Sequence, residues 1–156
     1  MSIFQLTGLP HAQFEPLFEL SDAQLSELGV VRVIADEKPS YPCRVGLVDA
    51  EIGETLLLLP YVHQPALSPY KASGPIYVRK GAKRRTLAVG EIPSYVSDRL
   101  ISVRAYDAAH IMIGAEVCDG SEVASEIERQ FGNPLVSYIH LHNARRGCFS
   151  CLVNSA

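Results

Sequence analysis

One stretch near the C-terminal end gathers side chains that do chemistry: Tyr138-Ile139-His140-Leu141-His142-Asn143-Ala144-Arg145-Arg146-Gly147-Cys148-Phe149-Ser150-Cys151. It carries imidazoles, thiols and guanidiniums within a short span. The pattern reads as two strands joined by a polar turn over residues 143–147. Side chains alternate between the two faces of a strand. Tyr138, His140, His142, Cys148 and Ser150 then share one face, while Ile139, Leu141, Phe149, Cys151 and Val153 share an apolar one. With that turn, His142 pairs with Cys148 and His140 with Ser150, and directly opposed Cβ atoms lie about 5 Å apart. A slip of one residue separates the imidazole from the thiol.

Three chemistries suit this set. Cys148 is a candidate nucleophile with His142 or His140 as base, because a histidine titrates near neutrality and a cationic neighbour favours a thiolate. His140, His142 and Cys148, with His63, are ligand types that suit zinc. Arg145 and Arg146, with backbone amides of the turn, suit an anion. The plain structural alternative is a half-buried sheet face whose histidines are hydrogen-bonded and whose cysteines pack as small apolar residues. Cys148-Phe149-Ser150-Cys151 also fits C-x-x-C. A redox pair of that kind opens a helix, however, and here the stretch is strand-like.

Further candidates lie upstream. Residues 63–75 contain Pro65, Pro69 and Pro75 and read as an ordered loop leaving a central strand, a common place for binding groups. His63, Tyr70 and Lys71 are the candidates there. Arg104 sits mid-strand on a face shared with Ser102 and Tyr106, and a partly buried arginine calls for an anionic partner in the chain or a ligand. Arg44 is a second such charge.

The elements that position these groups follow from local signals. Residues 3–9 suit an edge strand. Ser21 and Gln24 form a capping box that starts a helix ended by Gly29. Residues 30–35 and 43–49 suit strands, and the apolar run 55–62 is a central one. Residues 76–78 make a short strand and 80–85 a basic tip. A helical turn follows Pro93. Two strands at 100–106 and 111–117 flank a turn, and a helix over 121–131 carries Val123 and Ile127 inward before Gly132 and Pro134 stop it. The expected fold is α+β. A mostly antiparallel sheet carries two main helices packed on it, in a single two-layer domain spanning residues 1–156.

The chain has 156 residues, 47% of them apolar and 20% charged, an ordinary globular balance. At this size folding buries about 69% of the chain's surface, a core that needs no staples. The net charge of −3 argues against general nucleic-acid or membrane-surface binding. The N-terminus lacks the basic and apolar regions of a signal peptide, and the run Leu56-Leu57-Leu58-Leu59 is far too short to cross a bilayer. The expected compartment is the cytoplasm, where thiols stay reduced. No motif names a cofactor.

The combination Cys43-Arg44-Val45, Gly53-Glu54-Thr55-Leu56-Leu57-Leu58, His63-Gln64-Pro65, Pro69-Tyr70-Lys71-Ala72-Ser73 and His140-Leu141-His142-Asn143-Ala144-Arg145 with Gly147-Cys148 resembles a family of small bacterial proteins known only as a domain of unknown function. The resemblance covers nearly the whole chain. It implies a stand-alone bacterial protein and supplies no reaction, substrate or cofactor. The residues themselves point to His142, Cys148, His63 and Tyr70 as catalytic candidates, and to Arg145, Asn143, His140, Arg44 and Arg104 as ligand-binding ones, converging on one cleft. The first functional expectation is an enzyme acting on a small anionic metabolite. A non-catalytic ligand-binding or protein-interaction module is the second, and a His/Cys metal-binding protein the third.

Overall fold

The computed structural model describes residues 3–156. Its strands form two five-stranded, mostly antiparallel sheets rather than one. The first contains β1 (Phe4–Thr7), β7 (Leu100–Tyr106), β8 (Met112–Asp119), β9 (Tyr138–Asn143) and β10 (Phe149–Ser155), in the order β1-β10-β9-β7-β8. The second contains β2 (Val31–Ile34), β3 (Pro42–Cys43), β4 (Val48–Asp49), β5 (Thr55–Gln64) and β6 (Ala72–Arg79), in the order β2-β5-β6-β3-β4. The β3–β6 pair is parallel.

Helix is scarce. The expectation of two main helices on a sheet gives way to a mixed, mostly β architecture. The capping box is in place, with the Gln24 amide donating to Ser21 Oγ and the Ser21 amide to Gln24 Oε1, but it starts only the short α1 (Asp22–Glu27). The segment α2 (Ser94–Ser97) is a single turn after Pro93, and α3 (Val123–Phe131) follows a 3-10 turn at Gly120–Glu122. No helix of the described residues is long and apolar enough to cross a membrane.

Two sequence expectations fail for identifiable reasons. Residues 44–47 form a turn between β3 and β4, closed by the Leu47 amide donating to Cys43 O at 2.9 Å, so Arg44 sits in a hairpin bend. The prolines of residues 63–75 do not abolish the strands either: β5 runs to Gln64, and Pro75 lies inside β6 opposite Pro60. Both lie beyond the last rungs of β2 and β3, so neither missing N–H is owed to an outer strand.

The inner faces build the core. Ile101, Val103, Ala105, Ile139, Leu141, Cys151 and Val153 point to one side and meet Val123 and Ile127 of α3 and Tyr95 and Val96 of α2. On the other side Phe149 joins Leu57, Leu59, Ile76 and Val78 of the second sheet. A close backbone approach holds the two sheets together near Gly8, whose neighbour Leu9 donates its amide to Arg44 O at 2.9 Å. A Cβ on Gly8 would sit 2.0 Å from Val45 O, whereas one on Gly74 meets nothing within 4 Å. Gly8→Ala is therefore expected to lose about 1–3 kcal/mol of stability in urea unfolding, and Gly74→Ala to stay within about 0.5 kcal/mol of the parent. Equal values for the two variants would remove the close-approach explanation.

Candidate functional site

The β9–β10 hairpin is present, but its register differs from the expected one. The Asn143 amide donates to Cys148 O at 2.9 Å and the Gly147 amide to Asn143 O at 2.7 Å, so Asn143 and Cys148 close the turn. His142 is opposite Phe149 rather than Cys148, and His140 is opposite Leu152 rather than Ser150. A bulge at Ser150 intervenes, since Leu141 pairs with Cys151. The extra residue switches the face. Phe149 joins the imidazoles, while Cys151 and Val153 fall with Leu141 and Ile139 in the helix-side core. The turn is one residue shorter than the sequence suggested, and that difference parts the thiol from the histidines.

The predicted residues consequently separate into two groups. Arg44, Asn143, Arg145 and Cys148 line one cavity of about 750 Å³. His63 and His140 line a second, of about 590 Å³. His142, Tyr70 and Arg104 line neither, though all three join the ring cluster or lie beside it. Lys71 is exposed in its turn.

In the first cavity the central group is Arg44, 2% exposed. Its Nε donates to Phe149 O at 2.8 Å, Nη1 to Pro42 O at 2.6 Å and Nη2 to Cys148 Sγ at 3.2 Å. Asn143 Nδ2 approaches the same sulfur at 3.7 Å, and Asn143 Oδ1 has no partner. Among the described residues no carboxylate pairs with Arg44, Arg145 or Arg146. Arg99, also in the lining, is held by Asp49 at 2.8 Å. Glu37, Asp98 and Asp119 contribute negative charge to the walls, and Gly120 and Ser121, just ahead of α3, complete them. The half-buried thiol thus has a guanidinium for its partner and no imidazole in hydrogen-bonding contact.

The second group is built by register. Ser102, Arg104 and Tyr106 of β7 pair with His142, His140 and Tyr138 of β9, which puts all six on one face. His63, at the end of β5, closes over them. Its ring centroid lies 4.9 Å from that of His142 and 6.2 Å from that of His140, and it stacks on Phe149 at 5.5 Å. Tyr70, Tyr106 and Tyr138 extend the cluster. Sequence reasoning put Tyr138 on this face without naming it a site residue, and passed over Gln64 and His110 as polar members. Gln64 Nε2 donates to Tyr138 Oη at 2.9 Å, and His110 Nδ1 is 2.8 Å from the same oxygen. His110 has a φ of 63°, a conformation non-glycine residues seldom adopt. Alternation through Tyr106 and Tyr138 was the signal for the tyrosine; a turn histidine offers none. Arg104 was expected to find an anion. Its Nε donates to Ser102 Oγ at 3.0 Å instead, and no carboxylate pairs with it among the described residues.

Burial pushes His140 down to about 3, with the other two imidazoles and Arg104 adding to the effect. Burial likewise takes His142 to about 4, against a raising contribution from its bond to Gly147 O, and it lowers His63. All three are neutral at pH 7. His142 Nδ1 lies 2.9 Å from the Gly147 carbonyl oxygen, so that nitrogen carries the proton and Nε2 carries a bare lone pair. His142 Nε2, His140 Nδ1 and His63 Nδ1 are buried without a hydrogen-bond partner. A buried polar atom left unpaired costs about 1–3 kcal/mol. The metal arrangement expected of His140, His142 and Cys148 does not form, because the thiol belongs to the other cavity. Among the described residues no group of three or more His, Cys, Asp or Glu is placed to hold a metal ion.

The chain belongs to the family described as "Protein of unknown function (DUF1203)", which matches residues 40–155. The matched region includes both cavities' hairpins and every predicted site residue. No curated protein and no solved structure matches the chain.

The buried neutral histidines set a pH dependence. Their folded values lie below the ordinary 6.5, so the unfolded chain takes up protons first as pH falls. Their contribution is intact above about 6.5 and is lost on the way down toward 4 and 3. Urea unfolding at pH 7, 6 and 5 should show stability falling by on the order of 1 kcal/mol per pH unit for each histidine. The fall should be shallower in His140→Phe. A flat profile between pH 7 and 5 would contradict burial of the neutral rings.

Proposed function

We propose that the protein is an enzyme acting on a small anionic molecule bound in the arginine-lined cavity. Arg145 and Arg146 hold the anion, Arg44 supplies fixed positive charge at the base of the site, and Cys148 is the reacting group. Arg44 is the observation that carries the reading. A guanidinium buried to 2% exposure without a carboxylate partner is costly in a protein interior unless other charge compensates it. Here it opens onto a cavity of about 750 Å³ with two more unpaired arginines in its walls. A thiol acts as a nucleophile in its thiolate form, and a contacting guanidinium is a partner suited to that form. The reading also takes the chain as a single cytoplasmic domain of bacterial origin, in a compartment that keeps Cys148 reduced.

The four cysteines allow an internal test. Cys43 and Cys151 are buried, and Cys118 is half-buried. Burial raises Cys118, and Glu126, Glu122, Asp119 and Glu116 add to that effect. Alkylation by anionic iodoacetate and by neutral iodoacetamide can be followed at each cysteine by peptide mass spectrometry. The iodoacetate-to-iodoacetamide rate ratio at Cys148 should exceed that at Cys118 by roughly ten-fold, and the excess should collapse in the Arg145→Ala/Arg146→Ala variant. Equal ratios at the two cysteines would sink the anion site. For a bound anion found by calorimetry, turnover that disappears in Cys148→Ser while binding survives marks an enzyme. Binding without turnover leaves a ligand-binding module.

A further inference from the structure

The histidine cluster lies outside the arginine cavity and has no part in the chemistry proposed there. Its own cavity, of about 590 Å³, is lined by His63, Gln64, His110, Tyr138, His140 and Phe149, with Tyr61, Asn154 and smaller apolar groups around them. Among the described residues the lining contains no Asp, Glu, Lys or Arg. Its walls are flat rings. Phe149 stacks on His63 with planes 11° apart and meets His140 edge-on at 5.2 Å. Tyr138 stands beside His140 at 5.3 Å and stacks on Tyr106 at an interplanar angle of 11°. His140, 5% exposed, has an unpartnered Nδ1, and the adjoining His142 and His63 each have one unpartnered ring nitrogen. Tyr138 Oη is already held by Gln64 and His110, so its ring is fixed in place.

We infer that this cavity is a second binding site, for an uncharged planar heterocycle with hydrogen-bonding groups on its edge. Ring faces at the walls favour a flat, polarisable guest through stacking. Burial penalises a charged guest, and no charged side chain of the described residues lines the cavity to compensate it; Arg104, on the same sheet face, lies outside the lining. His63, Gln64, His140 and Asn154 in the lining are side chains able to donate and accept at a guest's edge, since each neutral imidazole carries one donor and one acceptor and each amide both kinds.

Side-chain nitrogen NMR of the 15N-labelled full chain tests this with named probes: adenine and nicotinamide as planar uncharged heterocycles, benzoate as a planar anion, and cyclohexanol as a non-planar alcohol. At least one heterocycle is expected to bind saturably and to move the His63 and His140 ring-nitrogen signals, the two cluster histidines in the lining. Benzoate and cyclohexanol should leave them in place. His140→Phe, which keeps a ring but removes both nitrogens, should weaken that binding at least ten-fold. Movement by neither heterocycle, or equal movement by benzoate, would overturn the proposal. So would one equivalent of Zn²⁺ moving the three histidines' signals while the heterocycles do not, which would make the cluster a metal site. Iodoacetate selectivity at Cys148 is unaffected by any of these outcomes, so failure here leaves the arginine cavity standing.

Discussion

The two sheets are tied together by one buried guanidinium. Arg44 leaves the β3–β4 bend of the second sheet and donates to the carbonyl of Phe149, the first residue of β10 in the first. Its other arms reach back to Pro42 O and across to the Cys148 sulfur. Three donors of a rigid fork are thus directed at acceptors separated by more than half the chain, an arrangement that suits arginine's planar geometry and not lysine's point charge. Removing the side chain would leave two buried carbonyls without these donors and open the seam between the sheets. The backbone contacts around Gly8 and Arg44 reinforce the same junction.

This tie has a chemical consequence. By holding Phe149 O and Cys148 Sγ together, Arg44 fixes the start of β10 where the Ser150 bulge changes its face. The thiol is kept on the guanidinium side. The aromatic ring of Phe149 passes to the imidazole side and stacks on His63. One hairpin therefore serves two environments. One is open, with both arginines and carboxylates in its walls, and its thiol touches an arginine. The other is walled by rings, with no charged side chain of the described residues in its lining and Arg104 on the same sheet face beside it. Residues adjacent in sequence, Cys148 and Phe149, belong to different cavities.

Much of the local structure could be read from the chain. The Ser21/Gln24 capping box, the helical turn after Pro93, the helix before Gly132, and the strands at 100–106 and 138–142 follow from short-range signals that act within a few residues. The alternation Ser102, Arg104, Tyr106 put the right side chains on the right face. Pairing between distant segments was not readable. Nothing local says that β5 chooses β2 and β6 while β10 chooses β1 and β9, so two sheets were read as one. The bulge at Ser150 was hidden for a similar reason. It is set by a turn one residue shorter than expected and by a hydrogen bond from Arg44, which lies far away in sequence. The candidate site residues could be picked out by side-chain type, but their neighbours could not. Cys148 received His142 on paper and has Arg44 in the structure. His110, displayed on a strained turn, carried no periodic signal.

The central claim is that Cys148 depends on Arg44 and not on an imidazole. The most direct measurement is the pH–rate profile of Cys148 alkylation by iodoacetamide in the parent chain and in His142→Gln, with folding of both verified by circular dichroism. The account predicts superimposable profiles, because the thiol and the histidine occupy separate environments. A profile displaced in the variant, or one that loses a titrating limb, would show that the imidazole acts on the thiol and would contradict the account.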